Sequence, residues 1–126
     1  MKSQIMMIID EGSRFRLGRV LFDHPTKTPT WTDMRQVYEE SWRMMIGNPH
    51  TVRVDPAGAW RSDAANQYFS ERGIMLEPIP AEAHWQIGLV EGCIKTIKGI
   101  MTQLAQDFPE TTTSELLAQA VWASNN

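Results

Sequence analysis

Ile87, Val90, Ile94, Ile97, Met101 and Leu104 recur at alternating steps of three and four residues in the last third of the chain. This is the period of an α-helix with a single apolar stripe. Most of the stability of such a helix comes from packing that stripe, so the rest of the chain must supply a surface to cover it. The N-terminal end supplies strand material. Ile5-Met6-Met7-Ile8-Ile9 is an unbroken apolar run, and Glu11-Gly12-Ser13 carries turn chemistry before a second apolar stretch, Phe15 to Phe22. These residues read as a β-hairpin.

The segment from His24 to Thr30, with Pro25 and Pro29, reads as a loop. Met34, Val37, Tyr38, Ser41, Trp42 and Met45 then mark an amphipathic helix from Trp31 to Ile46, stopped by Gly47 and Pro49. Thr51-Val52-Arg53-Val54 is a short β-branched strand, and Asp55-Pro56-Ala57-Gly58-Ala59 is the loop at its C-terminal end. Ser62 is placed as the N-cap of a helix running to Arg72 and ended by Gly73. Ile74 to Ile79 is a strand whose pairing Pro78 limits, residues 80 to 86 are a loop, and a last helix runs from Ser114, with Glu115 in its first turn, toward Asn126. The order β-β-α-β-α-β-α-α, without internal repeat, implies an α/β domain with a mixed sheet covered by helices. Such sheets place ligands at the carboxyl ends of their strands, where Asp55 lies.

Composition narrows the function classes. The chain has 126 residues, 42% hydrophobic and 21% charged, within the range of one folded domain rather than a disordered segment. Its longest unbroken apolar run, Ile5 to Ile9, is far too short to span a bilayer. Cys93 is the single cysteine, which excludes an internal disulfide, and His24, His50 and His84 lack the spacing of a zinc site. The formal net charge is −3, with 9 basic and 7 acidic residues up to Arg61 and 3 against 8 from Asp63 onward. Overall charge therefore gives no support to nucleic-acid binding.

Local charge does. At about 100° per residue, Lys95 lies about 40° and Lys98 about 20° from Glu91 on the wheel of the long helix, beside the apolar stripe. A carboxylate at that seam can point into a cleft with two lysines along its rim. The plain alternative is an exposed Glu-Lys pair at i, i+4, worth about 0.2–0.5 kcal/mol. Asp55 and Glu91 have 35 residues between them, but an acidic pair at any one separation is expected about once by chance in such a composition.

The neighbourhood is more informative than the spacing. Ile8-Ile9-Asp10-Glu11-Gly12-Ser13-Arg14-Phe15 is followed by Trp42, Gly47 and Pro49, then Val52 and Val54-Asp55, Trp60, Gly73-Ile74, and Gly88-Leu89-Val90-Glu91 with Lys95 and Lys98. In this order the chain resembles the catalytic core of retroviral and retrotransposon integrases, the DDE polynucleotidyl transferases with an RNase H-like fold. The resemblance implies a mixed sheet with helices on both faces, Asp55 and Glu91 as catalytic and metal-ligating carboxylates, Mg²⁺ or Mn²⁺ as cofactor, and Lys95 and Lys98 as DNA contacts. It further implies DNA ends and target DNA as partners, a homo-oligomeric full-length protein, no membrane, and a place in the nucleus or in an integration complex.

There are departures from the family pattern. The glycine after the second acidic position comes one place late in Asp55-Pro56-Ala57-Gly58, the run before the glutamate is His84-Trp85-Gln86-Ile87-Gly88, and Gly92 stands where an arginine often follows. The first catalytic aspartate of the family lies on a strand before the one Ile8-Ile9-Asp10 resembles. Residues 1–126 are therefore expected to form a partial integrase-like domain without that first strand. Ile5 to Ile9 would then either flank a gap in the sheet or pair directly with Thr51 to Val54. The competing view makes Asp10 itself the third carboxylate. Two functions stay open: metal-dependent polynucleotidyl transfer in DNA integration, or a non-catalytic remnant or interaction module of the same fold. A nuclease of the wider RNase H-like group would cut without joining. A cysteine or serine hydrolase is disfavoured, because Cys93 has no histidine nearby in sequence.

The remaining residues have plain expectations. Trp31, Trp42, Trp60, Trp85 and Trp122 are assigned to packing, with Trp85, on the loop before the long helix, the best base-stacking candidate. Met6, Met7, Met44 and Met45 are assigned as gap fillers, and Arg14, Arg16 and Arg19 as a solvated strand face, with DNA backbone contact the alternative.

Overall fold

The computed structural model describes residues 3–22, 27–54, 58–80 and 84–126. In chain order its elements are β1 (Gln4–Ile9), β2 (Arg16–Phe22), α1 (Trp31–Val37) continued by a π-helical stretch (Tyr38–Arg43), β3 (Thr51–Val54), a 3-10 turn (Gly58–Arg61), α2 (Asp63–Glu71), β4 (Met75–Pro78), α3 (His84–Asp107) and α4 (Thr113–Asn125). The expected order is present. β1 pairs with β2 and β3 with β4, giving two two-stranded sheets among the described residues. Among the described residues Ile5 to Ile9 pairs with β2. The chain packs into two compact units, one made of Met1–Lys27 with Leu89–Asn126, the other of Thr28–Gly88.

In the first unit, β1 and β2 are antiparallel, with Ile9 opposite Arg16 and Met7 opposite Gly18. Ile5, Met7 and Ile9, every second residue of β1, pack on a core built from Cys93, Ile97 and Met101 of α3 and Leu116, Leu117, Ala120 and Val121 of α4. Glycine at position 18 is explained by its partner, since a Cβ there would stand 2.3 Å from Met7 Sδ. Met7 thus fills the gap its assignment requires. The stripe of α3 is centred closer to Cys93 than the spacing suggested: Ile97 and Met101 are fully buried, Cys93 is buried, and Ile94 is half-buried. Several stripe residues could face inward, and the covering surface selects which arc does.

The Asn125 side chain closes the hairpin edge. Its Oδ1 accepts from the Arg16 backbone N–H at 3.0 Å, and its Nδ2 donates to the Arg16 carbonyl at 2.8 Å. The amide behaves as one residue of an added strand and satisfies both groups of an edge position.

In the second unit, Thr30 caps α1. Its hydroxyl accepts from the Asp33 N–H while the Asp33 carboxylate accepts from the Thr30 N–H at 2.9 Å, a reciprocal capping box. The helix expected to run uniformly to Ile46 instead changes register at Tyr38, and the Met44 N–H bonds the Glu39 carbonyl five residues back. Val37, Tyr38, Ser41 and Trp42 are buried as expected. Met44 and Met45 are 73% and 70% exposed, which corrects their assignment as gap fillers. Met44, Met45 and Ile46 are exposed together although consecutive helical residues point about 100° apart, so the surface that covers Trp42 does not extend to this last turn. Gly47, at φ 100°, ends the helix in a conformation favouring glycine.

β3 and β4 run parallel from Thr51 opposite Met75 to Val54 opposite Pro78. Ser62 caps α2, its hydroxyl accepting from the Ala65 N–H at 3.2 Å, and Gly73 follows α2 at φ 69°. Phe69, fully buried, is ringed by Trp31, Tyr38, Trp60 and Tyr68 at centroid separations of 5.2–6.4 Å. Trp31, Trp42 and Trp60 therefore pack as assigned. Trp85 and Trp122 do not: they are 65% and 70% exposed. Trp85 also lies in α3 rather than in a preceding loop, because nothing in His84-Trp85-Gln86 stops helical hydrogen bonding before the stripe begins.

Replacing Asn125 by Ala should lower the unfolding free energy by about 1–2 kcal/mol, the loss of two edge hydrogen bonds, and Met101→Ala by about 2–5 kcal/mol through cavity formation. Urea denaturation of the two variants checks both magnitudes.

Candidate functional site

α3 carries its charged residues on the face away from Cys93, Ile97 and Met101. Glu91, Lys95 and Lys98 are all exposed. The shift of the buried arc toward Cys93 moves Glu91 off the seam and onto the open face, a correction to the expected placement. Among the described residues no ion pair joins Glu91 to Lys95 or Lys98, so the plain i, i+4 pair is not formed here. The three groups present a carboxylate and two ammonium groups to solvent along a rigid helix.

β3 ends at Val54, which is buried. Asp55, with Pro56 and Ala57, lies outside the described residues, as do His24 and Pro25. The expected approach of the Asp55 and Glu91 carboxylates therefore also lies outside them. Among the described residues no three of His, Cys, Asp and Glu are grouped so as to hold a metal ion.

Asp10 organises the hairpin turn. Its Oδ2 accepts from the Ser13 N–H at 2.8 Å and the Ser13 hydroxyl at 2.7 Å, its N–H donates to the Phe15 carbonyl, and its carbonyl accepts from the Arg14 N–H, both at 2.8 Å. Arg14 takes the left-handed conformation at φ 67° to complete the turn. The Ser13 donors stabilise the ionised carboxylate and hold its pKa below the ordinary value of 3.8. One oxygen of Asp10 is thus engaged by its own turn.

The three arginines of this hairpin do not share one face. Arg14 and Arg19 are exposed, whereas Arg16 is half-buried with its side chain at Cys93. Burial pushes the Cys93 thiol up, against the pull of the Arg16 guanidinium. A buried, protonated thiol is a poor nucleophile.

The second unit holds a polar cluster that sequence inspection missed. Tyr68 donates its hydroxyl to Glu39 Oε1 at 2.6 Å, the Arg72 guanidinium lies 3.6 Å from the Tyr68 ring centroid, and Arg72 Nη1 donates to the Tyr68 carbonyl at 2.9 Å. Burial and the Glu39 carboxylate push the Tyr68 phenol up to about 12. Tyr38 donates to Asn48 Oδ1 at 3.0 Å, and its phenol is also raised, chiefly by burial. Glu39 and Tyr68 are 29 residues apart, and no local pattern announces the pair.

No family model matches the chain, and no curated protein matches it. Solved structures do. A chain in the cryo-EM structure of the simian T-cell lymphotropic virus intasome in complex with PP2A regulatory subunit B56 gamma aligns at TM-score 0.76 and 16% identity, over 96% of this chain and 46% of that one. The HTLV-2 integrase catalytic core domain in complex with magnesium aligns in its dimeric form at TM-score 0.74 and 15% identity, covering 96% and 81% of the two chains. Its trimeric form aligns at 0.74 and 14%, covering 96% and 80%. The present chain spans 46% of the length of the intasome chain it matches. At these identities the likeness is one of fold: the chain has the mixed α/β fold of retroviral integrase catalytic cores.

The lowered Asp10 pKa fixes the sign of an acid effect. Its turn contribution is complete above the unfolded value and lost as pH falls through the lower folded value. Stability measured by urea denaturation from about pH 6 to about pH 2 should lose this component in Asp10→Asn, while a step identical to that of the unaltered protein would show that Ser13 does not stabilise the ionised form.

Proposed function

We propose that the chain is an integrase-type catalytic core acting in metal-dependent polynucleotidyl transfer during DNA integration, of the retrotransposon or retroviral kind. The observation that carries the reading is the integrase-core fold together with Glu91 on the open face of α3. Asp55 follows the last residue of β3, and Glu91, Lys95 and Lys98 line one side of α3. Asp55 and Glu91 are the residues that would hold Mg²⁺ or Mn²⁺, and their oxygen-only donor set suits a hard divalent cation. When bound, such an ion supplies Lewis-acid activation of an attacking hydroxyl or water and stabilisation of the leaving 3′ oxygen. The neighbouring HTLV-2 core was solved with magnesium.

The residues of this chain have their own parts. Lys95 and Lys98, one helical turn and two turns beyond Glu91, offset phosphate charge and position a DNA backbone without reading its sequence. Asp10 is a turn residue in this scheme. The full protein works as a homo-oligomer on element ends and target DNA. No helix among the described residues is long and apolar enough to cross a membrane.

A non-catalytic interaction module of the same fold is the second reading, favoured by the altered runs Asp55-Pro56-Ala57-Gly58 and His84-Trp85-Gln86-Ile87-Gly88 and by the net charge of −3. Mn²⁺ titration followed by NMR separates the two. The catalytic reading expects paramagnetic broadening centred on Glu91, lost in Glu91→Gln and in Asp55→Asn, and no strand transfer by either variant in a protein that carries the complete triad. Broadening that is absent, or that survives both substitutions, supports the module. For DNA contact, Lys95→Glu with Lys98→Glu should weaken binding and lower the salt slope of log K by about 1.4 to 1.8. An unchanged slope returns both lysines to ordinary helix-surface duty.

A further inference from the structure

The outer edge of β2 has more positions than Asn125 fills. Along an antiparallel pair, residues alternate between bonding to the partner strand and turning their backbone groups away from it. The Asp10 N–H bonds the Phe15 carbonyl, so position 15 bonds inward. The register then runs without a shift from Ile9 opposite Arg16 to Ile5 opposite Val20, which turns the N–H and C=O groups of Arg16, Gly18 and Val20 outward. Asn125 satisfies both groups of Arg16. Among the described residues the outward groups of Gly18 and Val20 have no partner, and β1 is the one strand beside β2.

This edge is complementary to itself. Two copies of β2 set antiparallel about Gly18 place Gly18 opposite Gly18, Arg16 opposite Val20 and Leu17 opposite Arg19. Each arginine then faces an aliphatic residue, and no like charges meet directly. Every outward group finds a partner in this register, Arg16 bonding Val20 at both ends and Gly18 bonding Gly18 in the middle. A shift that centres the pair on Arg19 would set arginine against arginine. With Asn125 in place in both copies, the bonds at both ends are blocked and only the central pair at Gly18 is left.

The block sits on the least anchored part of α4. The helix buries Leu116, Leu117, Ala120 and Val121, whereas Trp122 and Ala123 are exposed and Ser124 and Asn125 half-buried. Beyond Val121 the two bonds to Arg16 are the tertiary hydrogen bonds of the helix among the described residues. Helix ends fray readily, so the last turn can leave the edge without disturbing the packing of Leu117 or Val121.

We propose that Asn125 is a lock on the β2 edge: it withholds from a second copy of this chain a surface on which β2 pairs antiparallel with β2, and fraying of the last turn of α4 releases it. The proposal rests on the hairpin and α4 alone and holds whether or not the chain is catalytic. An edge strand that carries free backbone groups is a template for pairing with another chain, and here the side chain of Asn125 takes the place of that chain at Arg16.

The test is amide hydrogen exchange on the whole 126-residue chain, read by NMR at low and at high protein concentration. In the unaltered protein the Arg16 amide should exchange more slowly than those of Gly18 and Val20, and the latter two at rates independent of concentration. In Asn125→Ala, exchange at Gly18 and Val20 should slow about tenfold or more at high concentration, with sedimentation showing the matching association. Isotope-filtered contacts between Leu17 of one copy and Arg19 of the other should then appear. Asn125→Asp, which keeps the acceptor and loses the donor, should behave in the same direction and serves where the alanine variant does not fold. Exchange at Gly18 and Val20 that ignores concentration in the variants overturns the proposal. So does association that leaves those amides unprotected, or the same concentration-dependent protection in the unaltered protein. If neither variant folds, the order of exchange in the unaltered protein decides, and an Arg16 amide as fast as those of Gly18 and Val20 removes the lock.

Discussion

Burial of Cys93, Ile97 and Met101 against α4 and the β1–β2 hairpin is the contact on which the first unit depends. Full burial of a side chain such as Ile97 or Met101 contributes about 1.5–3 kcal/mol relative to exposure, a large share of a small domain's margin. The same burial orients the rest of α3. With Ile97 and Met101 turned inward, helical geometry turns Glu91, Lys95 and Lys98 outward. The candidate site is therefore a consequence of the core, with no separate local device needed to present those three groups.

The second unit is held differently. Aromatic rings around Phe69 supply its apolar core, and the polar heads of Tyr38 and Tyr68 find partners in Asn48 and Glu39. Those phenols bury ring area only because their hydroxyls are satisfied. The Arg53–Glu77 ion pair across β3 and β4, 3.2 Å long and partly exposed, contributes little by comparison. The π stretch after α1 belongs to this packing, with Glu39 bonded to Tyr68 and Trp42 buried.

Fold and function stand on different grounds here. An integrase-core fold at 14–16% identity constrains the order and packing of elements, while chemistry depends on a few carboxylates and their separation. Asp10 illustrates the difference. It is acidic and sits at a strand end, yet two donors from Ser13 give it an architectural role in the hairpin turn. Glu91 is in the opposite situation, on a rigid helix and open to solvent.

Sequence alone determined the element order, because the signals are local: the period of the α3 stripe, the caps at Thr30 and Ser62, and the stops at Gly47 and Gly73 all act within a few residues. It also determined that Glu91, Lys95 and Lys98 share a face, since helical periodicity alone sets that relation. Tertiary structure decided which arc of the stripe is covered, putting Cys93 inside and leaving Ile94 half-buried. It decided that Asn125 closes the edge at Arg16, 109 residues away, and that Glu39 meets Tyr68, 29 residues away. It decided, too, that Met44 and Met45 stand in solvent while Trp42 is buried. The physical reason is common to all of these. Periodicity specifies what can be buried, but the partner surface, assembled from distant parts of the chain, selects what is.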